Sequence, residues 1–376
     1  MRFGKRRICG VMLVLVAGGT EAAGSNVTLY GVADSYVQYL DNGGMHTWAQ
    51  KSGGSTSSLF GLMGKEDLGS GLSVNFNVES GFNLNNGSLY VDPSVLFYRQ
   101  AWVGFKDEKY GELSFGRQYE PTYRVIYPTD PFSLNQDLSI RTAATLAADR
   151  ATLSNQFETG RANNSILYQS PRLGGVQIYG MYALASTSAS PVPETIGNQL
   201  NVGATYVGYG LYAGLAYANQ HPGAATYTLG TVATPVQLAL LNTKRYVGAL
   251  AYSIGIVKLQ FNYAYNQPGD PAAHSTAALL GTAHSFSIAE LGATIFATVT
   301  DTVEIAAVER NVRGTHDNAL GVQVGMDHYL SKRTSLYARA GYIKNNGSST
   351  ESWPLVSVSA PGTKQVMAAV GMTHRF

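Results

Sequence analysis

Apolar and polar residues alternate with period two along much of the chain. Leu72, Val74, Phe76 and Val78 interleave with Ser73, Asn75, Asn77 and Glu79. Val257, Leu259, Phe261, Tyr263 and Tyr265 interleave with Lys258, Gln260, Asn262 and Asn266, and Leu320, Val322, Val324 and Met326 with Gly321, Gln323, Gly325 and Asp327. Successive side chains on a strand point to opposite faces, so each stretch predicts a strand with one apolar and one polar face. No helical periodicity accompanies them to cover the apolar faces, and a membrane is the best alternative cover.

The pattern predicts sixteen strands, near 28–40, 56–66, 72–83, 97–106, 112–117, 164–170, 176–183, 199–207, 211–219, 245–254, 257–266, 286–299, 302–310, 318–329, 334–344 and 365–376. Short connections (67–71, 107–111, 171–175, 208–210, 331–333) alternate with long ones (41–55, 84–96, 119–161, 184–198, 220–244, 267–285, 345–364). Short turns at one end and long loops at the other describe a transmembrane barrel. An even strand count puts both termini at the short-turn, periplasmic end. A secreted β-sandwich also alternates, but it uses fewer strands. The aromatics gather near strand ends, as in Tyr263 with Tyr265 and Tyr337 with Tyr342, which suits a membrane interface.

The first residues change the charge picture. Arg2, Lys5, Arg6 and Arg7 precede a short apolar run at 8–17, and the small residues Ala22, Ala23 and Gly24 follow. This predicts a signal peptide over 1–24, leaving one barrel domain over 25–376. The full chain has 26 Lys+Arg and 24 Asp+Glu. Removing the four basic residues and Glu21 leaves 22 and 23, a net charge of −1, so no nucleic-acid partner follows from the basic precursor. Cys9, the only cysteine, leaves with the leader, which excludes disulfides and thiolate metal sites. The seven histidines show no HxxH spacing, and no metal or other cofactor is expected.

Several segments carry a resemblance: SNVTLYGV at 25–32, FGLMGKEDLGSGLSVNFNVESGF at 60–82, YRQAWVGF at 98–105, GELSFGRQ at 111–118, NNSILYQSP at 163–171 and the terminal VGMTHRF at 370–376. As a set, spread over the full mature chain, they resemble the Gram-negative general porins of the beta-proteobacterial type. The resemblance implies an all-β, sixteen-stranded antiparallel transmembrane barrel in the outer membrane, usually a homotrimer, with a third extracellular loop folded inward. It implies a water-filled channel for passive diffusion of small hydrophilic solutes and ions. It also gives the terminal Phe376 the role of a signal read by the outer-membrane assembly machinery.

Within that expectation the segment 119–161 is too long for a hairpin connection. It carries Arg124, Asp130, Asp137, Arg141, Asp149, Arg150 and Glu158. Asp130 matches the family's acidic constriction residue, and Arg99, Arg117 and Arg161 match its basic wall; Arg124, Asp137 and Arg141 are further candidates. Acid opposite base would set a transverse field across the water column. On its strand Arg99 shares a phase with Ala101 and Val103, whose small neighbours suit the lumen, with Trp102 opposite. Arg117 shares a phase with Leu113 and Phe115, so a bulge or strand end is needed to turn it inward. Leu59 and Met63 stand where relatives often carry basic residues. A substrate-selective sugar or anion channel is the main alternative function. A barrel enzyme is a weaker one, because no Ser–His pairing supplies a nucleophile and base.

Overall fold

The computed structural model describes residues 26–147, 149–156, 160–185, 197–227, 236–356 and 360–376. The segment expected to be a leader lies outside them. Sixteen strand positions close into an antiparallel barrel: β1 (Asn26–Asn42), β2 in two segments (Met45–Ser52 and Leu59–Gly69), β3 (Leu72–Gly81), β4 (Gln100–Asp107), β5 (Gly111–Tyr119), β6 (Arg161–Gln169), β7 (Val176–Ala183) and β8 (Gln199–Gly208). There follow β9 (Leu211–Gln220), β10 (Thr243–Ile254), β11 (Val257–Pro268), β12 (Phe286–Phe296), β13 (Asp301–Val312), β14 (Asn318–Tyr329), β15 (Thr334–Asn345) and β16 (Lys364–Arg375). Each pairs with its chain neighbours, and β16 returns to pair with β1 from Val32↔Arg375 to Asn42↔Gln365.

The alternation sorts the two faces as the sequence predicts. Leu259, Phe261, Ile305, Val322, Val324 and Met326 are exposed on the outer face. Gln260, Asn262, Gln323 and Asp327 point inward and are buried. Tyr217, Tyr246 and Tyr265 stand side by side across β9, β10 and β11 at the long-loop end, with ring centroids 5.3 and 6.4 Å apart. Such a row suits a membrane–water boundary.

The second strand departs from expectation. Residues 41–55 do not form a long loop. The chain turns at Gly43–Gly44, and 45–52 pairs with the upper half of β1 while 59–65 pairs with its lower half. The break between them is pinned by Asp34, which accepts bonds from the backbone of Gly54 (2.8 Å), Ser55 (3.0 Å) and Thr56 (3.0 Å). The periodicity of 56–66 was visible because it belongs to the lower segment. The upper one, MHTWAQKS, lacks a clean alternation.

The main apolar clusters lie inside the barrel, between its wall and the inward segment 120–160. A short helix α1 (Pro121–Ile126) packs Val125 and Ile126 with Ala216, Val247, Ala249 and Ala264 of β9–β11. A second, α2 (Ile140–Leu146), is capped by the Ser139 hydroxyl and packs Ile140 with Ile288, Val308, Ile343 and Trp353. The wall makes room with glycine. A Cβ on Gly321 would stand 2.5 Å from Ile140 Cδ1, and one on Gly341 2.6 Å from Trp353.

Candidate functional site

The inward segment is bonded to the wall along its length. Lys258 Nζ donates to the carbonyl of Pro128 (2.7 Å), and Gln323 bonds both Leu138 O (2.6 Å) and Ile140 N (2.9 Å). Arg141 donates to Asn262 (2.8 Å), and the Asn135 amide reaches Gly53 O at the β2 break (2.9 Å). Buried Asp149 pairs with buried Arg310 of β13 and accepts from Thr350 N (2.7 Å). The segment packs its apolar side chains mainly against β9–β16, and meets the arc of β2–β7 only at points such as Gly53, Arg99 and Gln169, which leaves that arc open between them.

On that open arc lies a cavity of about 410 Å³, bordered by Ser55 to Ser57 of the β2 break, Arg99, Tyr119, Arg124 and the loop residues Ser133 to Gln136. A second cavity, of about 230 Å³, adjoins it across Tyr123, Leu134 and Gln136, and is bordered by Tyr98, Arg141 and Arg161. Among the described residues, the linings contain four arginines and no carboxylate.

Arg99 reaches the first cavity by a route the sequence did not suggest. Trp102 and Gln100, paired with Asn77 and Glu79, occupy the inner face of β4, whereas Val103 and Phe105 are exposed on the outer face. The phase read for Arg99 with Ala101 and Val103 is thus the outer one. Arg99 turns inward because it sits in a bend just before β4. There its guanidinium bonds Glu79 (2.6 Å), Gln136 (2.7 Å) and the Tyr119 hydroxyl (3.1 Å).

Arg161 opens β6, lies 4.5 Å over the Tyr119 ring and donates to its hydroxyl (2.8 Å). Arg124 of α1 donates to Tyr119 O (3.2 Å) and Gln169 (3.4 Å), and faces the Tyr179 ring at 6.0 Å. No carboxylate among the described residues lies within ion-pair distance of it. Arg117 sits where the β5–β6 register shifts between Gly116 and Gln118, the irregularity its phase required. Its guanidinium stays at the strand end, bonded to Tyr98 O (2.5 Å) and to exposed Asn163 (2.6 Å), and borders neither cavity.

The two candidate acids also stand apart from the openings. Asp130, 2% exposed, accepts from Phe132 N (2.8 Å), Leu134 N (2.7 Å) and the Ser139 hydroxyl (2.7 Å), and so shapes its own loop. Asp137 accepts from the Tyr90 hydroxyl (3.2 Å), and burial pushes its carboxyl up to about 7. Lys51, on the upper part of β2, is the cation whose charge most opposes that rise, and it bonds Gln38 (3.4 Å). Arg150 is exposed, and Glu158 lies outside the described residues. Leu59 and Met63 face inward with Gly61 between them.

At the chain's end, Phe376 exchanges two backbone hydrogen bonds with Gly31 (3.0 and 3.1 Å), and its half-exposed ring covers that glycine.

A family model described as Gram-negative porin matches residues 10–348. Outer membrane porin protein 32 of Delftia acidovorans is 28% identical, over 97% of this chain and 98% of its own. An outer membrane porin protein of Bordetella pertussis is 26% identical, over 99% of this chain and all of its own. Among solved structures, the anion-selective porin from Comamonas acidovorans aligns with a TM-score of 0.74 at 24% identity, covering 94% of this chain and 100% of that one. The trimer form of OmpT from Vibrio cholerae aligns at 0.65 and 15%, covering 94% and 99%.

Proposed function

The chain belongs to the Gram-negative porin family and is an outer-membrane channel; from that premise we propose that it passes small hydrophilic solutes by passive diffusion and favours anions. One observation carries the anion preference: Arg99, Arg124, Arg141 and Arg161 border the adjoining cavities and no carboxylate does, among the described residues. A low-dielectric wall focuses that charge on the water column. The similar porin from Comamonas acidovorans is described as anion-selective, which agrees. In planar bilayers under a potassium chloride gradient, the reversal potential is expected on the chloride side; a potential on the potassium side overturns the reading.

In this reading the narrowest passage runs between the β2 break and the loop residues 133–136, with Arg99 and Arg124 as its charged lining, Arg161 and Arg141 on the adjoining cavity, and Asp130 and Arg117 as supports. The protein assembles as a homotrimer, performs no catalysis, and loses residues 1–24 on export. Crosslinking in the membrane tests the trimer, and the N-terminal sequence of the outer-membrane form tests the leader.

A further inference from the structure

The passage contains a feature that a plain charged pore does not need. Tyr119, Tyr123 and Tyr127, spaced by four, form a ladder of rings along its wall. Tyr119 and Tyr123 stack at 4.7 Å and 16°, and Tyr123 and Tyr127 follow at 5.8 Å and 33°. The Arg161 guanidinium closes the Tyr119 end at 4.5 Å. The other end is open: Tyr127 is 46% exposed and borders the cavity. Beside the ladder stand Arg99 and Arg124, with Ser133 and Asn135 on the same lining.

We propose that this end of the ladder is a subsite for aryl carboxylates, with the ligand's ring beside Tyr127 as a fourth rung and its carboxylate on Arg124. The reading deepens the proposed function, because it takes this cavity to be the conduction path. Aromatic rings prefer offset stacking on one another, a preference that a saturated ring of equal size does not share. A guanidinium matches a carboxylate with two parallel donors. Arg124 donates from Nε to a carbonyl and from Nη1 to a glutamine amide oxygen, both neutral, so neither partner neutralises its charge toward a ligand. The tyrosines are already ordered by one another, so little freedom is lost on binding.

The test is current block in planar bilayers carrying the intact protein, with benzoate, cyclohexanecarboxylate and acetate added in turn. Benzoate is expected to interrupt the current at about tenfold lower concentration than cyclohexanecarboxylate, the size of one aromatic contact. Tyr127→Ala should remove that difference while Tyr127→Phe keeps it, and Arg124→Gln should weaken block by both cyclic acids. Equal block by the two cyclic acids, or a difference that survives Tyr127→Ala, overturns the subsite and leaves the channel reading intact. Absence of any ion current overturns both.

Discussion

Arg99 joins three parts of the barrel at one guanidinium: Glu79 on β3, Tyr119 at the end of β5 and Gln136 on the inward loop. Its loss therefore does two things, removing a cation and leaving a buried acid without its ionic partner. Arg99→Gln and Arg124→Gln each lower the charge of the lining by one, so each is expected to move the reversal potential toward cations; an unchanged potential would place that residue away from the ion path. Asp137 gives a pH dependence of known sign. Its folded pKa stands near 7 against an ordinary 3.8, because burial disfavours its charge. Protonation therefore favours the docked loop; this contribution is complete below 3.8 and is lost as pH rises through about 7. The charge it gains lies near Arg99 and Lys51, so anion preference should fall between pH 6 and 8, a change that Asp137→Asn abolishes in reversal-potential measurements. Of the arginines singled out in the sequence, Arg99, Arg124, Arg141 and Arg161 border the cavities and Arg117 does not, and neither Asp130 nor Asp137 does. An aspartate that exposes its carboxylate and one that satisfies its own loop, as Asp130 does, are the same letter in a sequence. Lys51 escaped notice because the strand that carries it does not alternate.

The inward loop and the wall are fitted to each other element by element. Inner-face residues that the alternation assigns to water, such as Asn262 and Gln323, are buried because they hold the loop. Parity thus gives the face, while only the path of the loop decides between contact and solvent. The same holds for the β2 break, whose cause, Asp34, lies about twenty residues upstream of the backbone it binds. Strand existence and order were readable from period two, since lipid and interior impose it strand by strand. Two substitutions probe the loop. Asp130→Ala removes three hydrogen bonds to a carboxylate, each contributing about 1.5–3 kcal/mol when charged. It should increase proteolytic cleavage within 121–156 while the barrel keeps its heat-modifiable mobility in gels. Gly321→Leu brings a side chain into the space of Ile140 and should raise single-channel conductance by displacing α2; unchanged conductance would mean that the loop shift does not widen the passage.

The molecule as a whole is closed by the pairing of its first strand with its last. Phe376 contributes two backbone bonds and a ring over Gly31 at that seam. Its deletion should slow the appearance of the heat-modifiable form after synthesis and leave the conductance of the channels that do form unchanged. The seam also sets a clock. Ala33 meets His374 and Asn42 meets Gln365, contacts separated by more than three hundred residues. Contacts so distant along the chain form slowly, because the loop between them must be closed first. The earliest strand to leave the cytoplasm has one edge that no other part of the chain can fill until the final dozen residues arrive. A chain interrupted anywhere before them keeps an open edge, which is the template for aggregation. For this fold, escape from aggregation requires the last strand to be present, however early the others are made.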